Sequence, residues 1–193
     1  CDIIFGASDS NAVRIASNRL CLAHGIPYID CGNGALVTNG VLRAAGGQVI
    51  IVLPGSGYCL HCSGMFNVEN AMKEFLSDDE KKRQEEQGYI KGAQMAAPQV
   101  YSLNMMVASV AVWTFQRMVS GENLNFDGIS INAKDFQSHP WKEPYKKINF
   151  CPTCGINSIL MHGDEVDLLC REESKFDVDV RTFTNNQSSR HDF

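Results

Sequence analysis

Residues 1–34, CDIIFGASDSNAVRIASNRLCLAHGIPYIDCGNG, decide the fold class. Ile3–Phe5 reads as a short buried strand, and Tyr28–Asp30 as a second one after the Gly25-Ile26-Pro27 break. Pro27 has no N–H to give to a ladder, so it suits the opening of that second strand and not its middle. Between the two, Val13, Ile15, Ala16, Leu20, Cys21 and Leu22 recur at helical spacing and give a helix with a broad apolar face. The chain enters this helix through Ser8, Asp9 and Ser10, whose side-chain oxygens are cap candidates. Strand, helix and strand in this order predict a parallel βαβ unit, and with it an α/β fold.

Working outward, Val41–Ala44 and Gln48–Leu53 read as strands separated by Gly46-Gly47, a pair expected to form a hairpin turn. GQVIIVLPG then delivers the chain to Cys59. A moderately amphipathic helix over Val68–Leu76 gives way to SDDEKKRQEEQGY at residues 77–89, which reads as a solvated connector or as a crossover passing over a binding groove. Residues 97–121, APQVYSLNMMVASVAVWTFQRMVSG, predict a long helix, apolar nearly all round and ending at Gly121. Such a helix belongs in a core or an oligomer interface, and Met105 and Met106 are read as packing residues. FDGISINAK at 126–134 and PYKKINF at 144–150 predict two further strands. After Leu169 the chain is polar and weakly patterned, and its last twelve residues, TFTNNQSSRHDF, are expected to be disordered.

The strongest chemical signal is a pair of Cys-x-x-Cys knuckles, Cys59-Leu60-His61-Cys62 and Cys151-Pro152-Thr153-Cys154, each followed closely by glycine (Gly64, Gly155). A two-residue spacer lets both sulfurs of a pair reach one metal ion at about 2.3 Å, and two such pairs complete a tetrahedral zinc site. Four sulfurs leave no open position for water or substrate, so the expected role is to staple distant segments. The rival reading, a thioredoxin-like redox pair, needs only one such motif at the start of a helix. His61 is read as a solvent-facing spacer and not as a ligand.

Composition bounds the remaining possibilities. With 193 residues, 44% of them hydrophobic, the chain can bury one substantial core. A net charge of -5 and a pI near 5.5 argue against nucleic acid as a partner, which requires a basic face. Of the eight cysteines, four fall in metal spacing and Cys1, Cys21, Cys31 and Cys170 are scattered, which argues against a secreted disulfide scaffold and for a reducing cytoplasm. The most apolar run, near 97–118, is interrupted by Gln99, Ser102, Asn104, Gln116 and Arg117, so no membrane span is expected.

The stretch IIFGASDSNAVRIASNRLC resembles the second half of the ThiF/MoeB family, adenylating enzymes related to ubiquitin-activating enzymes. The family pattern is a strand, Thr-Asp-Asn, then Arg and Asn on the following helix, then Cys. Here Ser8 stands for the threonine, Asp9 matches the aspartate and Ser10 replaces the asparagine, while Arg14, Asn18 and Cys21 fall at the matching spacing. Both knuckles, the charged crossover at about 63–96 and the long apolar helix ending in Ser120-Gly121 follow the family order. The resemblance covers residues 1–155, leaving 156–193 as a C-terminal extension. Within it, GYIKGAQMAAPQVYSLNMMVAS is most similar to bacterial ThiF-like proteins found with ubiquitin-like modifiers.

This resemblance implies a Rossmann-like fold with a zinc-stapled mixed sheet region, while the apolar circumference of the helix over 99–118 exceeds what one half-sheet can cover and predicts a homodimer or a dimer through the missing half. It also implies ATP- and Mg²⁺-dependent adenylation of the C-terminal glycine of a ubiquitin-like or sulfur-carrier protein. Asp9 and Arg14 take catalytic places, Ser8, Asp9 and Asn18 line the nucleotide, and residues 32–38 with the crossover lie near the carrier's tail. For Asp9 alone a helix cap is an equal reading; a surface ion pair for Arg14 and a polar core bond for Asn18 are the plain alternatives. Two features depart from the family. Neither Gly32-Asn33-Gly34 nor Gly46-Gly47 leads from a strand into a helix as a phosphate-cradling turn must, so a fragment or separate half of an adenylating enzyme is expected. Residues 63–150 also hold no cysteine for a thioester or persulfide. A non-catalytic, zinc-stabilised module for dimerisation and carrier binding is the competing expectation.

Overall fold

The computed structural model describes residues 1–66, 71, 74, 100–142 and 151–166. Strand β1 (Ile4–Gly6) leads into helix α1 (Asn11–Ala23), followed by β2 (Tyr28–Thr38), β3 (Val41–Val52), a short helix α2 (Leu60–Ser63), the long helix α3 (Tyr101–Val119), β4 (Gly128–Asn132) and β5 (Gln137–Trp141). The strands form one sheet in the order β1-β2-β3-β4-β5. β1 and β2 pair in parallel through Ile4–Tyr28 and Gly6–Asp30, while every other neighbouring pair is antiparallel. The expected βαβ unit is therefore present, and Pro27 stands just ahead of β2, its carbonyl accepting from the Ile4 N–H at 3.0 Å.

Two-residue alternation along the strands sends side chains to opposite faces, and each face has its own core. Tyr28, Ile50 and Val52 pack with Cys21 and Leu22 of α1, with Tyr58, Leu60 and Phe66, and with Cys59, Cys151 and Cys154. Ile29, Val49 and Ile131 pack against Val107 and Ala111 of α3. Both long helices end in the same way. At α1 the Gly25 N–H bonds to Leu22 O and the Ile26 N–H to Cys21 O; at α3 the Gly121 N–H bonds to Met118 O and the Glu122 N–H to Arg117 O. These are paired Schellman closures, and they need a left-handed residue at Gly25 (φ 67°) and Gly121 (φ 80°), which glycine adopts without a Cβ clash.

The hairpin lies elsewhere than Gly46-Gly47. Both glycines sit inside β3, paired with β2 on one side and β4 on the other. They are required by close packing: a Cβ on Gly46 would lie 2.4 Å from the Ile131 carbonyl oxygen, and one on Gly47 2.4 Å from Val107 Cγ2. The chain reverses instead at Asn39-Gly40, with φ of 53° and 74°, as a two-residue hairpin turn demands. β5 is a further departure, since QSHPW lacks strand patterning. It is the last strand of the sheet, opposite β4, where Pro140 is tolerated because only one edge of the strand must bond.

Helix α3 buries Leu103, Val107, Ala111 and Thr114 along one side only. Met106 packs against the sheet as expected, but Met105 is exposed, as are Tyr101, Val112, Trp113 and Val119. Most of Val68–Leu76, the charged stretch 77–89, the PYKKINF segment and the polar tail lie outside the described residues.

Candidate functional site

Helix α1 carries polar groups from two places at once, because Arg14 and Asn18 are one turn apart on one face and both point inward. Asn18 is 1% exposed and its Oδ1 accepts from the Leu60 N–H at 3.1 Å. It thereby caps α2, the helix of the first knuckle, whose N-cap residue Cys59 has no oxygen to do so. Asn18 Nδ2 is buried with no partner among the described residues. The asparagine read as a nucleotide contact is thus turned toward the cysteines.

The four sulfurs of Cys59, Cys62, Cys151 and Cys154 lie within 4.8 Å of one another. Sγ of Cys59 is 3.8 Å from that of Cys62 and 3.8 Å from that of Cys151, and Cys62 Sγ is 3.3 Å from that of Cys154. A tetrahedron with metal–sulfur bonds of about 2.3 Å has edges of about 3.8 Å, so the arrangement fits one ion with four thiolate ligands. The distances are far beyond a disulfide bond, about 2.05 Å, and all seven described cysteines are free. His61 is not a solvent-facing spacer: it is half-buried, its ring lies edge-on to Phe66, and its Nδ1 is 3.4 Å from Thr153 Oγ1. It joins the two knuckles without being a ligand.

Arg14 is engaged by a buried carboxylate. Its Nε donates to Asp30 Oδ1 at 3.1 Å, its Nη2 to Asp30 Oδ2, and its Nη1 to the Met65 carbonyl at 3.1 Å. Asp30 is fully buried and also accepts from the Tyr28 hydroxyl at 2.9 Å. Burial alone would lower the Arg14 pKa, but the Asp30 carboxylate outweighs it and holds the guanidinium charged. Burial beside Asp30 also raises the Tyr28 hydroxyl above its ordinary value, fixing it as a donor. Asp30 went unremarked in the sequence, although a carboxylate flanked by apolar strand residues is a signal for a buried ion pair. Of the other thiols, burial pushes Cys21 up to about 12 and Cys31 up to about 11, so both are inert packing groups.

The loop Ser8-Asp9-Ser10 follows the C-terminal end of β1. Ser10 is the N-cap of α1, its hydroxyl accepting from the Val13 N–H at 3.2 Å, and the Ser10 N–H donates to Ser8 Oγ at 3.1 Å. With that position filled, Asp9 is not the cap. Its side chain is exposed and has no hydrogen-bond partner among the described residues.

The parallel unit with an acidic loop at its strand end, joined by one helix to a cluster of four cysteines, defines an α/β domain with a Rossmann-like start and a cysteine set that could hold a metal ion. The chain belongs to the ThiF family, whose model matches residues 1–190. Members of this family are adenylating enzymes that act on ubiquitin-like or sulfur-carrier proteins. No curated protein matches the chain. No helix among the described residues is long and apolar enough to cross a membrane.

Proposed function

We propose that residues 1–155 form the C-terminal portion of an adenylating domain, with 156–193 as an extension, that activates the C-terminal glycine of a ubiquitin-like or sulfur-carrier protein. The reaction joins the carrier's carboxylate oxygen to the α-phosphorus of ATP and expels pyrophosphate, leaving an acyl-adenylate. Its difficulty is bringing two anions together, so the enzyme must orient them and offset the charge that develops on phosphate. The observation that carries the reading is Asp9, an exposed carboxylate without a partner among the described residues, beside Ser8 at the C-terminal end of a parallel strand. That is where α/β sheets place ligands. Asp9 and Ser8 are assigned to hold Mg²⁺ and the nucleotide, the ion supplying positive charge against the phosphate oxygens. Arg14 and Asn18 serve the same reaction from behind, Arg14 by fixing Asp30 and Met65, Asn18 by fixing the first knuckle.

Gly32-Asn33-Gly34 and Gly46-Gly47 lie within strands and are not assigned as the phosphate cradle. The four cysteines are assigned to structural zinc. Residues 32–38 of β2 suit the carrier's extended tail, because among the described residues only Tyr28–Asp30 of that edge are paired, with β1. The outer side of α3, displaying Tyr101, Val112 and Trp113, is assigned to a homodimer contact.

Carrier-dependent ATP–pyrophosphate exchange by the full-length native protein tests the reading. Asp9→Asn should keep fold and metal while slowing exchange by on the order of a hundredfold, the loss expected for one charged transition-state contact. Exchange at the wild-type rate in that variant would remove Asp9 from the site. A wild-type protein that binds carrier yet never exchanges pyrophosphate would instead mark a non-catalytic carrier-binding module.

A further inference from the structure

The start of α1 is closed by a residue from far along the chain. Glu74 lies 64 positions beyond Ser10, in the segment after the first knuckle, and its Oε2 accepts from the Ser10 hydroxyl at 2.5 Å and from the Ala12 N–H at 3.1 Å. Its Oε1 accepts from the Asn11 N–H at 3.2 Å and from the Asn11 side-chain amide at 3.3 Å. The first N–H groups of a helix have no partners within it and carry the positive end of its dipole, so a carboxylate is the best-matched group to close them. Ser10 is the hub of this arrangement. Its hydroxyl accepts from the Val13 N–H while donating to Glu74, and its own N–H is bonded to Ser8 Oγ.

We infer that Glu74 is a clasp, a positioning residue that closes the start of α1 and so fixes the Ser8-Asp9-Ser10 loop. Arg14 provides a second tie, one turn further on, through the Met65 carbonyl. The contacts between residues 65 and 74 and α1 therefore bracket its first turn. Burial by itself would raise the Glu74 carboxyl, but the Ser10 hydroxyl and the Ala12 and Asn11 donors hold it below the usual carboxylate range. The catalytic consequence rests on the assignment of Asp9 given above; the clasp itself does not.

Hydrogen–deuterium exchange in the full chain, with Glu74→Ala and Glu74→Gln, separates the two. In Glu74→Ala the Asn11 and Ala12 amides should exchange on the order of tenfold faster, with Glu74→Gln between it and wild type, while Leu20–Ala23 and the metal content stay unchanged. Adding Ser10→Ala to Glu74→Ala should accelerate Ala12 no further than the larger single effect, since both remove one shared contact. Wild-type rates at Asn11 and Ala12 in both Glu74 variants, or fully additive effects, overturn the clasp. In pyrophosphate exchange, Glu74→Ala should lower kcat about tenfold and leave the KM for ATP in place, because the loop is misplaced but its ligating groups remain. Faster amides with an unchanged kcat would overturn the positioning role. No exchange activity in the wild type would defeat the proposed reaction, and the amide rates would still decide the clasp.

Discussion

The two faces of the sheet are built on different principles. The α1 face is held by a cluster of four cysteines, the Arg14–Asp30 pair with Tyr28, and the amide of Asn18 on the first knuckle. The α3 face is an apolar layer of Ile29, Val49, Ile131, Val107 and Ala111, and its helix turns a second apolar side outward. Removing one member of a buried polar network leaves its partner unsatisfied, whereas apolar layers lose stability in proportion to what is removed. The first face therefore specifies geometry and the second supplies adhesion.

Removing the zinc proposed for the four cysteines should break this contrast most severely. Zinc analysis of protein prepared without added metal is expected to give one ion per chain, and Cys59→Ser, Cys62→Ser, Cys151→Ser and Cys154→Ser should each lose it. Stability should fall by several kcal/mol, on the order of the folding energy that structural zinc supplies in small domains. Four freely alkylated thiols and no metal in the native protein would contradict the staple. Next in size is Asp30→Asn, which leaves Arg14 without its counter-charge and is expected to cost about 3–5 kcal/mol in urea unfolding. The double variant Arg14→Met with Asp30→Leu should recover much of that loss, since paired apolar groups demand no compensation. On the α3 face, Trp113→Glu should leave the unfolding midpoint of the protomer nearly unchanged and shift sedimentation from dimer to monomer, because Trp113 is 61% exposed. A wild-type protein that sediments as a monomer at high concentration would refute the dimer contact.

What could be read from the residues alone follows the same division. The knuckles were legible because ligand spacing is a local rule, and the βαβ unit because Gly25-Ile26-Pro27 punctuates it. The end of α3 at Gly121 was legible for the same reason. Gly46-Gly47 misled because glycine signals both a turn and a close approach, and only the positions of Ile131 and Val107, some 60 or more residues away, decide between them. The true turn at Asn39-Gly40 carried a strong local signal that the more conspicuous glycine pair obscured. β5 was missed since an edge strand with Pro140 is specified by its partner and not by its own pattern. In the candidate site, Asp9, Arg14 and Asn18 were found only through the family pattern. Asp30, which pairs with Arg14, and Glu74, which closes the start of α1 after Asp9, belong to contacts between distant segments that no spacing rule encodes.

The cysteine cluster also sets an order of events in making the protein. Cys59 and Cys151 are 92 residues apart, and α3, β4 and β5 all lie between them. β1, α1 and β2 are made before the first knuckle, but the chain holds only half of the four-cysteine set until the second knuckle has been synthesised. Closing so long a loop is slow and entropically demanding. The complete set of four cysteine ligands is therefore assembled only after α3, β4 and β5 have been made.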